Sequence, residues 1–280
     1  MNQKVILITG ASSGIGLDTA RLLASKGCKV YGAARRVELM EPLKELGVVP
    51  LYIDLTDPVS MQKCVNTILE AEGRIDALVN NAGYGQLGPI ECVPIEDARK
   101  QMEVNVFGIA QLCSMVIPAM RAAHSGRIVN LSSIAGKAVI YFGGWYNVSK
   151  FSVEALSDAL RIELKPFGID VAKIEPGGIR TPWGIIAAKH LEECTRGSAY
   201  QKAASDEAAI FNKAYSSKNL LSSPKRVAGA ICRACLSRRP KACYRVGVGS
   251  GLMPAMHSLL PARWWDSLAR LFAYSKSAVR

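Results

Sequence analysis

Short, almost uninterrupted apolar runs recur at residues 4–9, 29–33, 49–53, 76–80, 127–132 and 169–174. Runs this short and this continuous predict strands buried on both faces rather than the alternating strands of a half-solvated sheet. Between them apolar residues return every three or four positions, as at Leu17, Leu22 and Leu23, which is the period of an amphipathic helix. Strands that alternate with helices predict a parallel, doubly wound α/β sheet. A last strand is expected at Tyr244-Arg245-Val246, and an apolar helical segment runs on from Met253 to Phe272, with Trp264, Leu268, Leu271 and Phe272 forming one stripe. No repeat, low-complexity tract or linker divides the chain, and no apolar run approaches the roughly 20 residues of a membrane span.

The first run, Lys4-Val-Ile-Leu-Ile-Thr9, is too short for a signal peptide and passes into Thr9-Gly10-Ala11-Ser12-Ser13-Gly14-Ile15-Gly16. Strand, glycine-rich turn and helix together form a dinucleotide cradle. Glycines let the backbone approach a pyrophosphate, and the helix start offers it unpaired N–H groups. The spacing is GxxxGxG rather than the commoner GxGxxG. Further along, Tyr146 and Lys150 stand four residues apart, about one helical turn, so phenol and ammonium share a helix face. A phenol with a reference pKa of about 10 is a poor acid or base at neutrality, and a neighbouring cation is expected to pull it down. Ser133, thirteen residues before Tyr146, ends the run Arg127–Ser133 and is placed at a strand tip beside that helix. Ser132 is its nearest rival, and the interval favours Ser133. Hydroxyl, phenol and ammonium converging on one point suit proton transfer to or from a carbonyl or alcohol oxygen.

In these motifs the chain resembles the short-chain dehydrogenase/reductase family from residue 4 to about 182, loosely beyond. Thr9–Gly16 resembles its cofactor motif, Asn80-Asn81-Ala82-Gly83 its stabilising motif after the fourth strand, and Asn105 in Glu103-Val-Asn-Val-Phe-Gly108 its helix asparagine. Ser133, Tyr146 and Lys150 match the remaining catalytic positions, and Pro176-Gly177 with Thr181 the segment that orients the nicotinamide. The resemblance implies a Rossmann-type domain over about 1–250, a substrate flap over about 181–223, and a C-terminal helical extension over 251–280. It implies Asn105, Ser133, Tyr146 and Lys150 as catalytic residues. Ser133 would polarise a carbonyl, Tyr146 would protonate its oxygen, and hydride would come from the nicotinamide. Lys150 would also hold the ribose, and Asn105 would anchor a water leading to solvent. The cofactor contacts implied are Gly10, Ser12, Ser13, Gly14, Ile15, Gly16, Asp54, Asn81, Ala82, Gly83, Tyr146, Lys150, Pro176, Gly177 and Thr181. A homodimer or homotetramer is implied in the same way.

Cofactor choice is legible at the end of the second strand, where Ala34 is followed by Arg35 and Arg36. An acidic residue there would grip ribose hydroxyls and repel a 2′-phosphate, whereas two guanidinium groups favour that phosphate. NADP(H) is expected over NAD(H). Asp54 matches the family position at the adenine ring, while Asp57 is better placed as a helix cap.

Composition narrows the rest. A chain of 280 residues, 49% hydrophobic, can bury one large core. Eight cysteines and no signal peptide suggest reduced thiols in a cytoplasmic protein. Cys232 and Cys235 have CxxC spacing but lie in a helix-like stretch without a second pair, which favours packing. His124, His190 and His257 are scattered, so no metal site is expected. Trp183, Ile185, Ile186 and Phe211 in the flap and the bulky run Tyr141–Trp145 suggest a lipophilic substrate. The long tail is similar in texture to the hydroxysteroid and retinol dehydrogenase branch, which makes a hydroxysteroid the first expectation. An acyl-carrier-linked ketone reductase and a non-catalytic NADP sensor are the alternatives. Ten basic residues and no acidic one lie between Glu207 and Asp266, and they supply most of the net charge of +12. Such a face suits anionic lipid, an anionic substrate or plain solvation. No nucleic-acid-binding motif is present.

Overall fold

The computed structural model describes residues 3–217 and 219–273, the side chains of 272 and 273 excepted. The expected strands form as β1 (Val5–Thr9), β2 (Lys29–Ala34), β3 (Val49–Tyr52), β4 (Ala77–Asn80), β5 (Gly126–Leu131), β6 (Ile169–Pro176) and β7 (Cys243–Val246). They make a seven-stranded sheet in the order β3-β2-β1-β4-β5-β6-β7, parallel at every pairing. The helices are α1 (Gly14–Ser25), α2 (Pro58–Glu72), α3 (Ile95–Met102), α4 (Gly108–Ala122), α5 (Gly144–Leu164), α6 (Trp183–Thr195), α7 (Gln201–Ser216), α8 (Pro224–Leu236), α9 (Leu252–Leu259) and α10 (Ala262–Ala273).

Both sheet faces are covered, which is why the strands read as solid apolar runs. In β1, Ile6 and Ile8 point to a layer containing Ala20, Leu23, Val227 and Ile231 of α1 and α8. Val5 and Leu7 point to the opposite layer, with Met61 and Val65 of α2, Leu112 and Val116 of α4 and Val153 of α5. Removing such side chains from water contributes about 1.5–3 kcal/mol each. The continuous helical stretch 95–122 is long and apolar enough to cross a membrane by length and composition, contrary to the sequence reading. Leu112, Cys113, Val116 and Met120 are instead fully buried against the sheet, and their apolar character is that of a core helix.

The chain builds β1, β2 and β3 outward in one direction and then returns to add β4 beside β1. That reversal opens a crevice beyond the carboxyl ends of the strands, where ligands of such sheets sit. Buried polar contacts then lock α5 over the sheet. Asn80 Nδ2 donates to Asn130 Oδ1 at 2.9 Å, and Asn130 Nδ2 to Ser157 Oγ at 2.9 Å. Lys173 of β6 reaches Glu154 and Asp158 of α5 at 2.8 and 2.9 Å. Cys232 and Cys235 are buried in α8, in the layer that also holds Cys28. Asp57 caps α2 by accepting from the Val59 N–H at 2.9 Å.

The tail forms α9 and α10, but the expected stripe is not its packed face. Trp265 is buried, and its Nε1 donates to the Val139 carbonyl at 3.0 Å. Trp264 and Leu271 are exposed, and the Phe272 side chain lies outside the described residues.

Candidate active site

The loops at the carboxyl ends of β1 to β6 converge on one cleft of about 1160 Å³. A pocket of about 300–1,000 Å³ holds one drug-sized ligand, so this cleft has room for a dinucleotide and a second molecule. The glycine-rich turn forms one wall. Gly10 and Gly14 have φ of +68° and +55°, which favours glycine. Thr9 and Asn81 hold the turn in place. Thr9 Oγ1 accepts from the Asn81 and Ala82 N–H groups at 3.1 Å each, and Asn81 Nδ2 donates to the Thr9 carbonyl at 2.9 Å and the Gly10 carbonyl at 3.3 Å. The Asn81 side chain is thus engaged with the turn. Ser12, Ser13, Gly14, Ile15, Arg35, Arg36, Asp54, Ala82, Gly83, Pro176, Gly177 and Thr181 line the cleft with Gly10 and Asn81. Gly16 does not line it; a side chain there would overlap the Gly10 carbonyl oxygen.

Asp54 accepts from Thr56 N–H at 2.9 Å and Thr56 Oγ1 at 2.8 Å, which fixes its carboxylate at the rim. Arg35 and Arg36 line the same end with no carboxylate partner within ion-pair distance among the described residues. A turn that lets backbone approach, an adjacent helix start and two arginines fit a dinucleotide with an additional phosphate.

At the far end, Tyr146 and Lys150 project from the first turns of α5, and Ser133 starts the short helical turn after β5. The Ser133 hydroxyl is hydrogen-bonded to the Tyr146 phenol and accepts from the Ala135 N–H at 3.1 Å. Ser132 Oγ is buried without a partner among the described residues, so the structure brings Ser133, not Ser132, to the phenol. Lys150 Nζ donates to the Leu131 carbonyl at 2.8 Å and lies 5.8 Å from the centre of the Tyr146 ring.

The electrostatics differ from the expectation of a lowered phenol. Burial pushes Tyr146 up to about 12, with the Ser133 hydrogen bond working the other way. Burial brings Lys150 down to about 8, opposed by the charge of Glu154 one turn further along α5. Residue spacing reveals that a cation is near; it does not reveal how little water reaches either group.

Asn105 does not line the cleft. It sits in a π-turn, Glu103–Phe107, that joins α3 to α4, a widening of the helix often met at functional sites. Its amide clamps the strand-exit loop: Oδ1 accepts from Tyr84 N–H at 3.1 Å, and Nδ2 donates to the Tyr84 carbonyl at 2.9 Å and Ser149 Oγ at 3.1 Å. Ser149 in turn donates to the Tyr146 carbonyl at 2.8 Å, so Asn105 ties the loop after β4 to the turn carrying the phenol.

The flap supplies the other wall. Trp183 packs on Tyr146 at 5.0 Å between ring centres, and it also meets Phe211 and Tyr215 of α7 at 6.4 and 6.1 Å, two rings that stack on each other at 5.8 Å and 7°. Ile140, Ile186 and His190 complete this apolar end. Tyr141 and Phe142 fill the cluster beneath it rather than the cleft. Tyr84, Arg99, Lys100, His190 and Tyr215 also line the cleft, and the sequence reading missed them. Each lies on a helix or loop with no motif of its own, brought in by tertiary folding alone.

The profile described as "short chain dehydrogenase" matches residues 4–190. The chain is 37% identical, over 95% of its length and 96% of the other's, to a probable short-chain type dehydrogenase/reductase, VdlC, of Helicobacter pylori. It is 35% identical to a 3-ketodihydrosphingosine reductase of Bacteroides thetaiotaomicron, over 97% of this chain and 98% of that one. It is equally 35% identical to an NADPH-dependent 3-dehydrocapnine reductase of Ornithobacterium rhinotracheale, over 94% of both chains.

Proposed function

The chain belongs to the short-chain dehydrogenase/reductase family and is an NADP(H)-dependent oxidoreductase of alcohol and ketone groups; from that premise we propose that it reduces a ketone on a long-chain lipophilic substrate. The observation that carries the reading is the meeting of Ser133, Tyr146 and Lys150 at the apolar end of the cleft. Those residues serve either direction, and the NADP(H) cofactor with two near full-length relatives named as reductases favours reduction. When bound, NADPH supplies the hydride. The chain's own residues do the rest. Ser133 donates a hydrogen bond to the substrate oxygen, and Tyr146 gives its proton to that oxygen as negative charge develops there. Lys150, cationic below about pH 8, stabilises the phenolate left behind. Asn105 acts as a positioning residue through Tyr84 and Ser149.

The lipophilic substrate is supported by the wall of Trp183, Ile186, Phe211 and Tyr215 beside the phenol. Two near full-length relatives carry in their names a carbonyl at carbon 3 of the compound reduced, which favours a 3-oxo chain. The stacked Phe211–Tyr215 pair also suits a flat ring system, so a ketosteroid is the second reading.

The test is NADPH consumption by the purified protein against a long-chain 3-oxo amino alcohol, a ketosteroid and a short 3-oxoacyl thioester. The expected result is a kcat/KM for the long-chain ketone at least tenfold above the other two. Preference for the steroid would select the second reading. Turnover of the short thioester alone would overturn both and leave the acyl-carrier reductase.

The pH dependence has a definite sign. Lys150 loses its charge as pH rises through its lowered value, so kcat/KM for NADPH in the reductive direction should fall above about pH 8, with a slope of one proton. The phenol itself stays protonated until about 12 and contributes no limb below that. A flat profile from pH 7 to 10 would remove Lys150 from the proton-transfer step.

A further inference from the structure

We propose that the exposed shoulder of α10, with the adjoining end of α9, docks the enzyme onto an anionic lipid bilayer and so opens the substrate end of the cleft toward the membrane. This rests on the lipophilic-ketone reading and says from where such a substrate enters.

In α10, Trp265 turns inward, donating to the Val139 carbonyl and meeting the edge of the His257 ring at 5.0 Å between centres. Trp264 and Leu271, seven residues apart and therefore on one side of the helix, stand about a quarter turn away from Trp265. They are 68% and 66% exposed. Leu259, at the end of α9, is 82% exposed. The apolar arc of α10 is thus wider than the part the protein covers. On its other flank stand Arg263, Asp266, Ser267 and Arg270, all exposed. Apolar shoulder and basic flank together are the signature of a helix lying in a lipid interface, with tryptophan at the headgroup boundary and arginines reaching the phosphates.

The place of this helix gives the face its meaning. α10 packs on α7, which carries Phe211 and Tyr215 of the cleft. The Val139 that Trp265 holds adjoins Ile140, another cleft residue. Val139, Ile185 and Ile186 are themselves exposed at this end, and Ile186 lines the cleft. An apolar surface therefore runs from the tail to the mouth of the pocket.

Charge selects the occupant. Two copies meeting by this face would each bring its net positive charge, two arginines to one aspartate, and like net charges oppose that contact. Anionic headgroups attract the arginines, at about 1 kcal/mol per basic residue near the surface.

The experiment is co-sedimentation of the full-length protein with vesicles of phosphatidylcholine alone and of phosphatidylcholine mixed with phosphatidylglycerol, beside a Trp264→Ser/Leu271→Ser double variant. Both side chains are exposed, so the variant should keep its turnover of a water-soluble ketone. The expected result is binding to the anionic vesicles that weakens with salt, falls at least tenfold in the variant, and is matched by a similar loss of turnover on vesicle-borne ketone alone. Absence of binding, or binding that the variant leaves unchanged, would overturn the proposal. A variant that turns a dimer into a monomer by light scattering would also overturn it, naming a second copy as the occupant. Vesicle binding by an enzyme that ignores every lipid ketone would sink the substrate reading while leaving the docking surface standing.

Discussion

Tyr146→Phe is expected to slow reduction by about 10²- to 10⁴-fold while NADPH binds within about twofold of its ordinary affinity. The change removes one oxygen and leaves the ring packed on Trp183 at 5.0 Å. Ser133 keeps its bond from the Ala135 N–H at 3.1 Å, so its hydroxyl stays in place to polarise a carbonyl it can no longer help protonate. Loss of one buried hydrogen bond shifts stability by about 1 kcal/mol, too little to unfold the domain. Single-turnover absorbance at saturating NADPH, with a thermal melt alongside, separates chemistry from folding. A loss below tenfold would mean that another group, Ser133 or a water, delivers the proton.

Gly16→Ala is expected to displace the glycine-rich turn that forms one wall of the cleft. Its added carbon would overlap the Gly10 carbonyl oxygen and come within 2.5 Å of Asn81 Nδ2. The first is backbone, and the second is already engaged with the Thr9 and Gly10 carbonyls, so neither can yield without moving the turn. Overpacking of this kind costs about 1–3 kcal/mol, against a helix-propensity gain of about 1 kcal/mol. The turn that moves is the one that must cradle a pyrophosphate, so NADPH affinity should fall at least a hundredfold, read by fluorescence titration. Gly229→Ala is the control. It lies within α8 with only the tip of Arg233 nearby, at 3.7 Å, and should leave affinity untouched. Equal behaviour of the two variants would show that Gly16 is not needed for close approach.

Much of this is legible in the sequence because parallel sheets write themselves plainly. Val5–Thr9 is buried at every residue, so it has no solvent-facing positions to blur its ends. The trio of Ser133, Tyr146 and Lys150 was readable because two of its members share a helix turn and the third ends a strand. What stayed hidden depends on contacts between distant segments. His190 and Tyr215 reach the cleft only because α6 and α7 fold over it, and no local pattern marks that. The π-turn at Asn105 looks like ordinary helix in the sequence. The phenol's upward displacement comes from enclosure by the flap, which spacing along α5 cannot report. In the tail, helical period identified an apolar arc but not which part of it the protein covers, and the packed side proved to be that of Trp265 rather than Trp264.

The position of β1 between β2 and β4 has a consequence for how the chain is made. Synthesis delivers β1 first, but one of its two edges stays without its partner until β4 emerges, on the order of ten seconds later at about 5–20 residues per second. During that interval the most thoroughly enclosed strand of the finished enzyme is a bare apolar edge on the ribosome, beside a glycine turn that Asn81 has not yet arrived to hold. In that window the nascent chain exposes the kind of apolar strand edge that chaperones shield, well before the residues that perform its chemistry exist.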